Sequence, residues 1–450
     1  MPDIRESEPK SRWDALVHTG ADTPMGQLLR RYWWPVAGQR ELETAPTRAV
    51  RLMGEDLVLY KDLSGNYGLI DRRCRHRRAD MLHGFIEKCG LRCSYHGWLY
   101  DQTGQCIEQP YEDQAHPEAR LKDQVRITAY PVQAHGGMLW AYLGPLPAPL
   151  VPDWEFFGWE NGFRQIVISE IPCNWFQCQE NSIDPVHFEW QHGNWNIRAR
   201  GKTGPYQPTH VRVDFTEFEY GFQYKRIRTD TDETDRLWQI GRVCLWPNAL
   251  FTGNHIEFRV PIDDATTLSV TWHFSRVPTE REPYVQEDRD IPTWHAPVKD
   301  ENGRFITSHV MNQDFLAWVG QGTIADRSQE YLATSDRGIV LMRNQFLRDL
   351  DAIAKGKDPK AVIRDPKANR RVMLPVAERK PLMEGKPIAE LLKDPDQAAR
   401  IGDYIFQAGQ PKEVRQAYLA AMGVNDADVK PLDQAVDILA PPEKRIARSS

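Results

Sequence analysis

Residues 74–98 read CRHRRADMLHGFIEKCGLRCSYHGW. The stretch contains two matched half-sites. Cys74-x-His76 is the first and Cys93-x-x-His96 the second, with sixteen residues between His76 and Cys93. Each half supplies one thiolate and one imidazole. Two such loops facing each other can hold a two-iron, two-sulfur cluster, both Cys on one iron and both His on the other. Zinc could use the same four ligands. Zinc sites, however, usually pair Cys with Cys at one short spacing and His with His at another. The mixed halves favour the iron–sulfur reading.

Cys74-Arg75-His76-Arg77 and Cys93-Ser94-Tyr95-His96-Gly97-Trp98 resemble the two cluster loops of Rieske oxygenases. Respiratory-chain relatives carry an extra Cys inside each motif, and no Cys stands there in this chain. The resemblance is therefore to the lower-potential type. Many relatives have Pro after the first Cys where this chain has Arg75, which is not a ligand position.

Outward from this stretch, short apolar or alternating runs lie between turn residues. Val50–Met53, Leu57–Tyr60, Gly68–Ile70, Leu91–Cys93 and two segments within 125–144 predict a small β-sandwich. Pro24–Tyr32 reads as a short helix running into the apolar Trp33–Val36. The Pro-rich run 145–149 marks a domain boundary. Three strand-like segments follow at 211–228, 237–251 and 255–277 and predict an antiparallel sheet. After His309 the pattern turns helical. The expected fold is α+β. It comprises a helical segment (1–45), an all-β Rieske domain (46–150), a helix-grip catalytic domain (151–370) whose helices wrap an antiparallel sheet, and a helical extension (371–450).

A second constellation reads Asp184-Pro185-Val186-His187-Phe188-Glu189-Trp190-Gln191-His192. On a regular helix the two His would point about 140° apart. They can share a metal only if the helix ends or carries a π-bulge between them. Two His and one carboxylate leave open positions on ferrous iron. The pattern resembles the iron-binding segment of Rieske oxygenase catalytic domains. That resemblance makes His187 and His192 ligands and points to a downstream carboxylate at the start of a helix, which Asp314 matches. Asp326 and Asp336 are the rivals, each beside an Arg that suits ordinary pairing or capping.

The resemblance also implies a ring-shaped trimer in which each cluster faces the next subunit's iron. Asp184 would be the functional carboxylate between them, bridging His96 of one subunit to His187 of its neighbour. Its plain alternative is a cap ahead of Pro185. The implied activity is that of a terminal oxygenase component, using dioxygen to hydroxylate an aromatic substrate that bears a carboxylate. The alternatives are oxidative O-demethylation of a methoxylated aromatic acid, or electron transfer without oxygenase chemistry. The nearest likeness is to phthalate dioxygenases, phenoxybenzoate dioxygenases and aryl O-demethylases. Arg242, His255 and Arg259 on the predicted sheet could anchor an acid. Asn174 and Trp175, just before the metal segment, could line an electron path or pack. No GxGxxG follows a strand, so electrons are expected from a separate reductase, with or without a ferredoxin.

Composition is compatible with this. The chain has 450 residues, net charge -6 and 15 Trp, and offers no basic excess for nucleic acid. Seven Cys without a signal-like N-terminus argue against a secreted disulfide scaffold, and no apolar run is long enough to cross a membrane. A cytoplasmic protein is expected.

Overall fold

The computed structural model describes residues 12–199, 201–379 and 408–425. Residues 1–11 and most of the expected C-terminal extension, 380–407 and 426–450, lie outside the described residues. The fold is α+β, with small β-sheets leading into one large sheet covered by helices.

Two four-stranded sheets and one three-stranded sheet build the first part. Thr47–Leu52, Glu55–Lys61 and Tyr67–Asp71 pair antiparallel, joined at Ala129–Tyr130. Their inward residues Leu52, Leu57, Leu59 and Leu69 are fully buried. Phe85–Glu87, Gly90–Arg92, Leu99–Tyr100 and Cys106–Glu108 form a second meander beside the Cys74-x-His76 and Cys93-x-x-His96 loops. Trp33–Gly38, which begins with the apolar run that follows the expected short helix, is a strand. It pairs with Met138–Tyr142, a hundred residues on.

The large sheet has eight strands. Each of the three expected long strands is folded back on itself. His210–Phe218 turns into Gly221–Arg228, Arg242–Leu245 into Ala249–Phe251, and His255–Pro261 into Thr267–Arg276. The turns fall where the chain carries Tyr220-Gly221, Pro247-Asn248 and Asp263-Asp264. Gly162–Ile171 joins Thr267–Arg276 antiparallel and Thr293–His295 parallel, so the sheet is mixed.

The two faces of this sheet differ. Val243, Ile256, Phe258, Val260, Val270, Trp272 and Phe274 point into the main core. Their alternating neighbours are polar. Tyr224 stands opposite Arg242, His255 opposite His273, Glu257 opposite Thr271 and Arg259 opposite Ser269. That polar face meets the helices Trp175–Asn181 and Val310–Gly320. Gln179 donates to Cys244 Sγ at 3.3 Å, and Arg259 lies over the Trp318 ring. A charged, largely buried strand face is uncommon, because unpaired polar groups cost free energy away from water. Here it borders the candidate metal site.

Candidate metal centres

The two cluster loops fold alike. In the first, Arg78 N–H donates to Cys74 O and Cys74 N–H to Ala79 O; in the second, Gly97 N–H donates to Cys93 O and Cys93 N–H to Trp98 O. The fourth residue after each Cys, Arg78 or Gly97, has positive φ (62° and 75°). At the second loop only Gly avoids a Cβ 2.9 Å from Pro110. Cys74 and Cys93 are buried, whereas His76 and His96 are exposed. The two imidazoles meet edge to face at 4.4 Å between centroids, and His76 stacks on Trp98 at 4.5 Å.

The thiols lie against each other. A hydrogen bond from Cys74 holds the Cys93 thiol down to about 6, while Cys74 is pushed up by that pairing and by burial. Tyr100 Oη sits 3.4 Å from Cys74 Sγ. Two converging thiols with two convergent imidazoles fit a metal cluster. Two exposed His beside two unrelated buried Cys would not converge.

The second centre forms where the helical ladder widens. Phe188–Asn194 is π-helical. The wide turn adds one residue, so His187 and His192 reach the same side, as an i, i+4 pair does on an ordinary helix. Asn174 caps the preceding helix by accepting from Phe176 N–H, and that helix breaks before Pro185. Asp314 comes from the first turns of the helix Val310–Gly320, capped by His309.

The ligand atoms of His187, His192 and Asp314 lie within 4.8 Å of one another. An Asp314 oxygen is 3.7 Å from His187 Nε2 and 3.3 Å from His192 Nε2. His192 Nε2 is buried and makes no well-aligned hydrogen bond. Burial pushes His192 down, but Asp314 and Gln313 outweigh it and its pKa rises. The site thus favours positive charge at its centre, as two imidazoles and a carboxylate around a divalent ion would. Gln313 Oε1 lies 2.9 Å from His192 Nδ1, and the Asn181 amide donates to Asp314 at 3.4 Å. Both residues are of ordinary type, and no sequence signal marked them.

Asp184 sits beside this site. One oxygen accepts from Val186 N–H at 2.8 Å, and the other is 3.5 Å from His187 Nδ1. Burial pushes this carboxyl up, but His187 and the backbone donors hold it below its ordinary value. The rivals of Asp314 do other work. Asp326 caps the turn at Ser328, and Asp336 accepts from Ala333 N–H.

The three basic residues singled out for substrate fall in two places. Arg259 is fully buried and paired with Glu257 at 2.6 Å; His255 Nε2 lies 2.8 Å from the same carboxylate. Arg242 lies over the Phe188 ring and pairs with Glu378. Asn174 and Trp175 are fully buried, the first in capping and loop bonds, the second against Phe346.

Residues 32–131 match the Rieske [2Fe-2S] domain, and residues 293–373 match a domain described as LigXa C-terminal domain like. The chain is 62% identical to the 5,5'-dehydrodivanillate O-demethylase oxygenase subunit of Sphingobium sp. (strain NBRC 103272 / SYK-6), over 92% of this chain and 96% of that one. It is 32% identical to the phthalate 4,5-dioxygenase oxygenase subunit of Pseudomonas putida, over 76% and 86%. NdmA of Pseudomonas putida CBB5 shares the fold with a TM-score of 0.51 at 20% identity, covering 74% of this chain and 94% of that one. Among the described residues no helix is long and apolar enough to cross a membrane. The chain belongs to the Rieske non-haem iron oxygenases, as a terminal oxygenase component with a [2Fe-2S] Rieske cluster and a mononuclear iron.

Proposed function

We propose that this protein removes a methyl group oxidatively from a methoxylated aromatic acid. The observation that carries the reading is the 62% identity, along nearly the full length of both chains, to an O-demethylase oxygenase subunit. In outline, an aryl methyl ether, dioxygen, two electrons and two protons give a phenol, formaldehyde and water. One oxygen atom enters the methyl C–H bond, and the resulting hemiacetal loses formaldehyde.

In this reading Cys74, His76, Cys93 and His96 hold the cluster, and His187, His192 and Asp314 hold the iron. The cluster supplies electrons singly and the iron activates dioxygen. The chain's other residues orient and exclude. Gln313 keeps His192 in the tautomer whose Nε2 faces Asp314. Phe188 walls the site beside His187, with 4.4 Å between ring centroids. Asp184 bridges His187 to His96 of the next subunit in a ring-shaped trimer, which the exposure of His96 permits. Electrons come from a separate reductase in the cytoplasm.

The test is aerobic turnover of iron-replete protein with a surrogate reductase, NADH and a set of methoxylated aromatic acids. The expected products are one phenol and one formaldehyde per ether consumed. Ring products gaining two oxygens, without formaldehyde, would replace demethylation with dihydroxylation.

A further inference from the structure

We propose that Arg226 and Arg242 form a subsite for a carboxylate of the substrate, with Phe188 as its floor and Glu378 as a built-in counter-ion to one of the pair. The inference rests on the reading of the adjoining site as an oxygenase centre for aromatic acids, and names the group that selects the acid.

Arg226 and Arg242 stand on adjacent antiparallel strands, Gly221–Arg228 and Arg242–Leu245. Both guanidiniums lie over the same ring, at 5.2 Å and 5.0 Å from the Phe188 centroid. The Phe188 ring in turn neighbours both imidazoles, with centroids 4.4 Å from His187 and 5.4 Å from His192. One aromatic ring therefore separates the arginines from the metal site.

The charges do not balance. Arg242 gives Nε and Nη2 to Glu378, at 3.0 and 2.6 Å. Among the described residues no carboxylate pairs with Arg226. Its Nη1 is 3.5 Å from His210 Nε2, and its Nε is buried without a hydrogen-bond partner. Glu189 is occupied by His210, accepting at its backbone and approaching its ring. Arg228, on the same strand, is paired with Asp230. Two half-buried guanidiniums thus stand beside one carboxylate, which pairs with Arg242 alone among the described residues. Burial and the neighbouring Arg242 push Arg226 down to about 10, which leaves it protonated at neutral pH. An uncompensated buried charge is costly unless an anion joins it. By contrast, Arg259 and Glu257 already neutralise each other.

A guanidinium stacked on an aromatic wall offers its edge to a planar carboxylate. An aromatic acid lying along Phe188 would place its carboxylate at Arg226 and its ring substituent toward His187 and Asp314. Glu378 follows Ala377, whose N–H donates to Gly241 O just ahead of Arg242. Without it both arginines would be uncompensated.

The experiment is calorimetric binding to the iron-replete protein under anaerobic conditions, so that affinity is read without turnover. The probes are 5,5'-dehydrodivanillate and its dimethyl ester. The wild type is expected to prefer the acid, and Arg226→Gln to weaken acid binding about ten- to hundredfold while leaving the ester unchanged. Arg226→Lys should recover part of the loss. Glu378→Gln, which frees Arg242, should tighten the acid. Iron content and the visible spectrum of each variant check that both centres survive. A wild type that does not distinguish acid from ester, or binds neither, overturns the subsite, as does acid preference that persists in Arg226→Gln. Failure of demethylation with Arg226-dependent acid binding intact would instead sink only the reaction assigned above.

Discussion

The side-chain oxygen of Gln313 lies 2.9 Å from Nδ1 of His192, on the opposite side of the imidazole from Asp314. Gln313 is itself held, donating to Asn196 at 2.8 Å and to Thr307 O at 3.0 Å. The residue before the candidate carboxylate ligand thus fixes the ring of a candidate imidazole ligand. Gln313→Leu is expected to weaken iron retention about 10- to 100-fold. The measurement is iron remaining after timed dialysis against a chelator. Unchanged retention would make the contact incidental.

Asp184→Ala should keep both metals yet lose most turnover. Its carboxylate touches His187 from outside the trio, so the variant removes an orienting partner and no ligand. Iron and sulfide analysis, with single-turnover reduction kinetics, separates lost electron delivery from lost metal. Wild-type turnover would remove Asp184 from the account.

Glu180 holds two buried guanidiniums, Arg327 at 2.7 Å and Arg343 at 2.6 Å. Glu180→Ala leaves Arg327 without its carboxylate and Arg343 with Glu330 only. The expected loss is about 3–5 kcal/mol of stability, the usual consequence of breaking a buried ion pair from one side. Denaturant unfolding reads it. The same variant should perturb the iron centre, because the helix carrying Glu180 leads directly to Asp184.

His273 is buried, and burial with the neighbouring His255 and His309 pushes its pKa well below 6.5. A depressed imidazole stays neutral in the fold, while the unfolded chain takes up a proton as pH drops. Its contribution is therefore present above pH 6.5 and declines below it, by up to about 1.4 kcal/mol per pH unit. Unfolding midpoints for wild type and His273→Asn, compared between neutral pH and about pH 5, test this. The variant should show the shallower slope; parallel slopes would exclude His273 as the source.

Much of the candidate chemistry was legible in sequence because it depends on spacing. Cys74, His76, Cys93 and His96 sit on two local turns, so chain proximity already fixed their geometry. The requirement for a bulge between His187 and His192 followed from helix periodicity, and the π-helical segment Phe188–Asn194 meets it. Long-range pairing was less legible. Trp33–Val36 reads only as an apolar run after a short helix until Met138–Tyr142 is placed beside it. The three apparent long strands contained reversals that a continuous apolar pattern hid. Gln313, Arg226 and Glu378 are common residue types whose importance comes only from what the fold puts next to them.

Burial divides the cluster loops into a sealed sulfur end and an open imidazole end. A cluster held between these loops, as proposed above, would come nearest to another protein at the rim formed by residues 76 and 96. A protein surface pressed against that rim would join the circuit, so turnover would be open to tuning by substitutions far from the substrate.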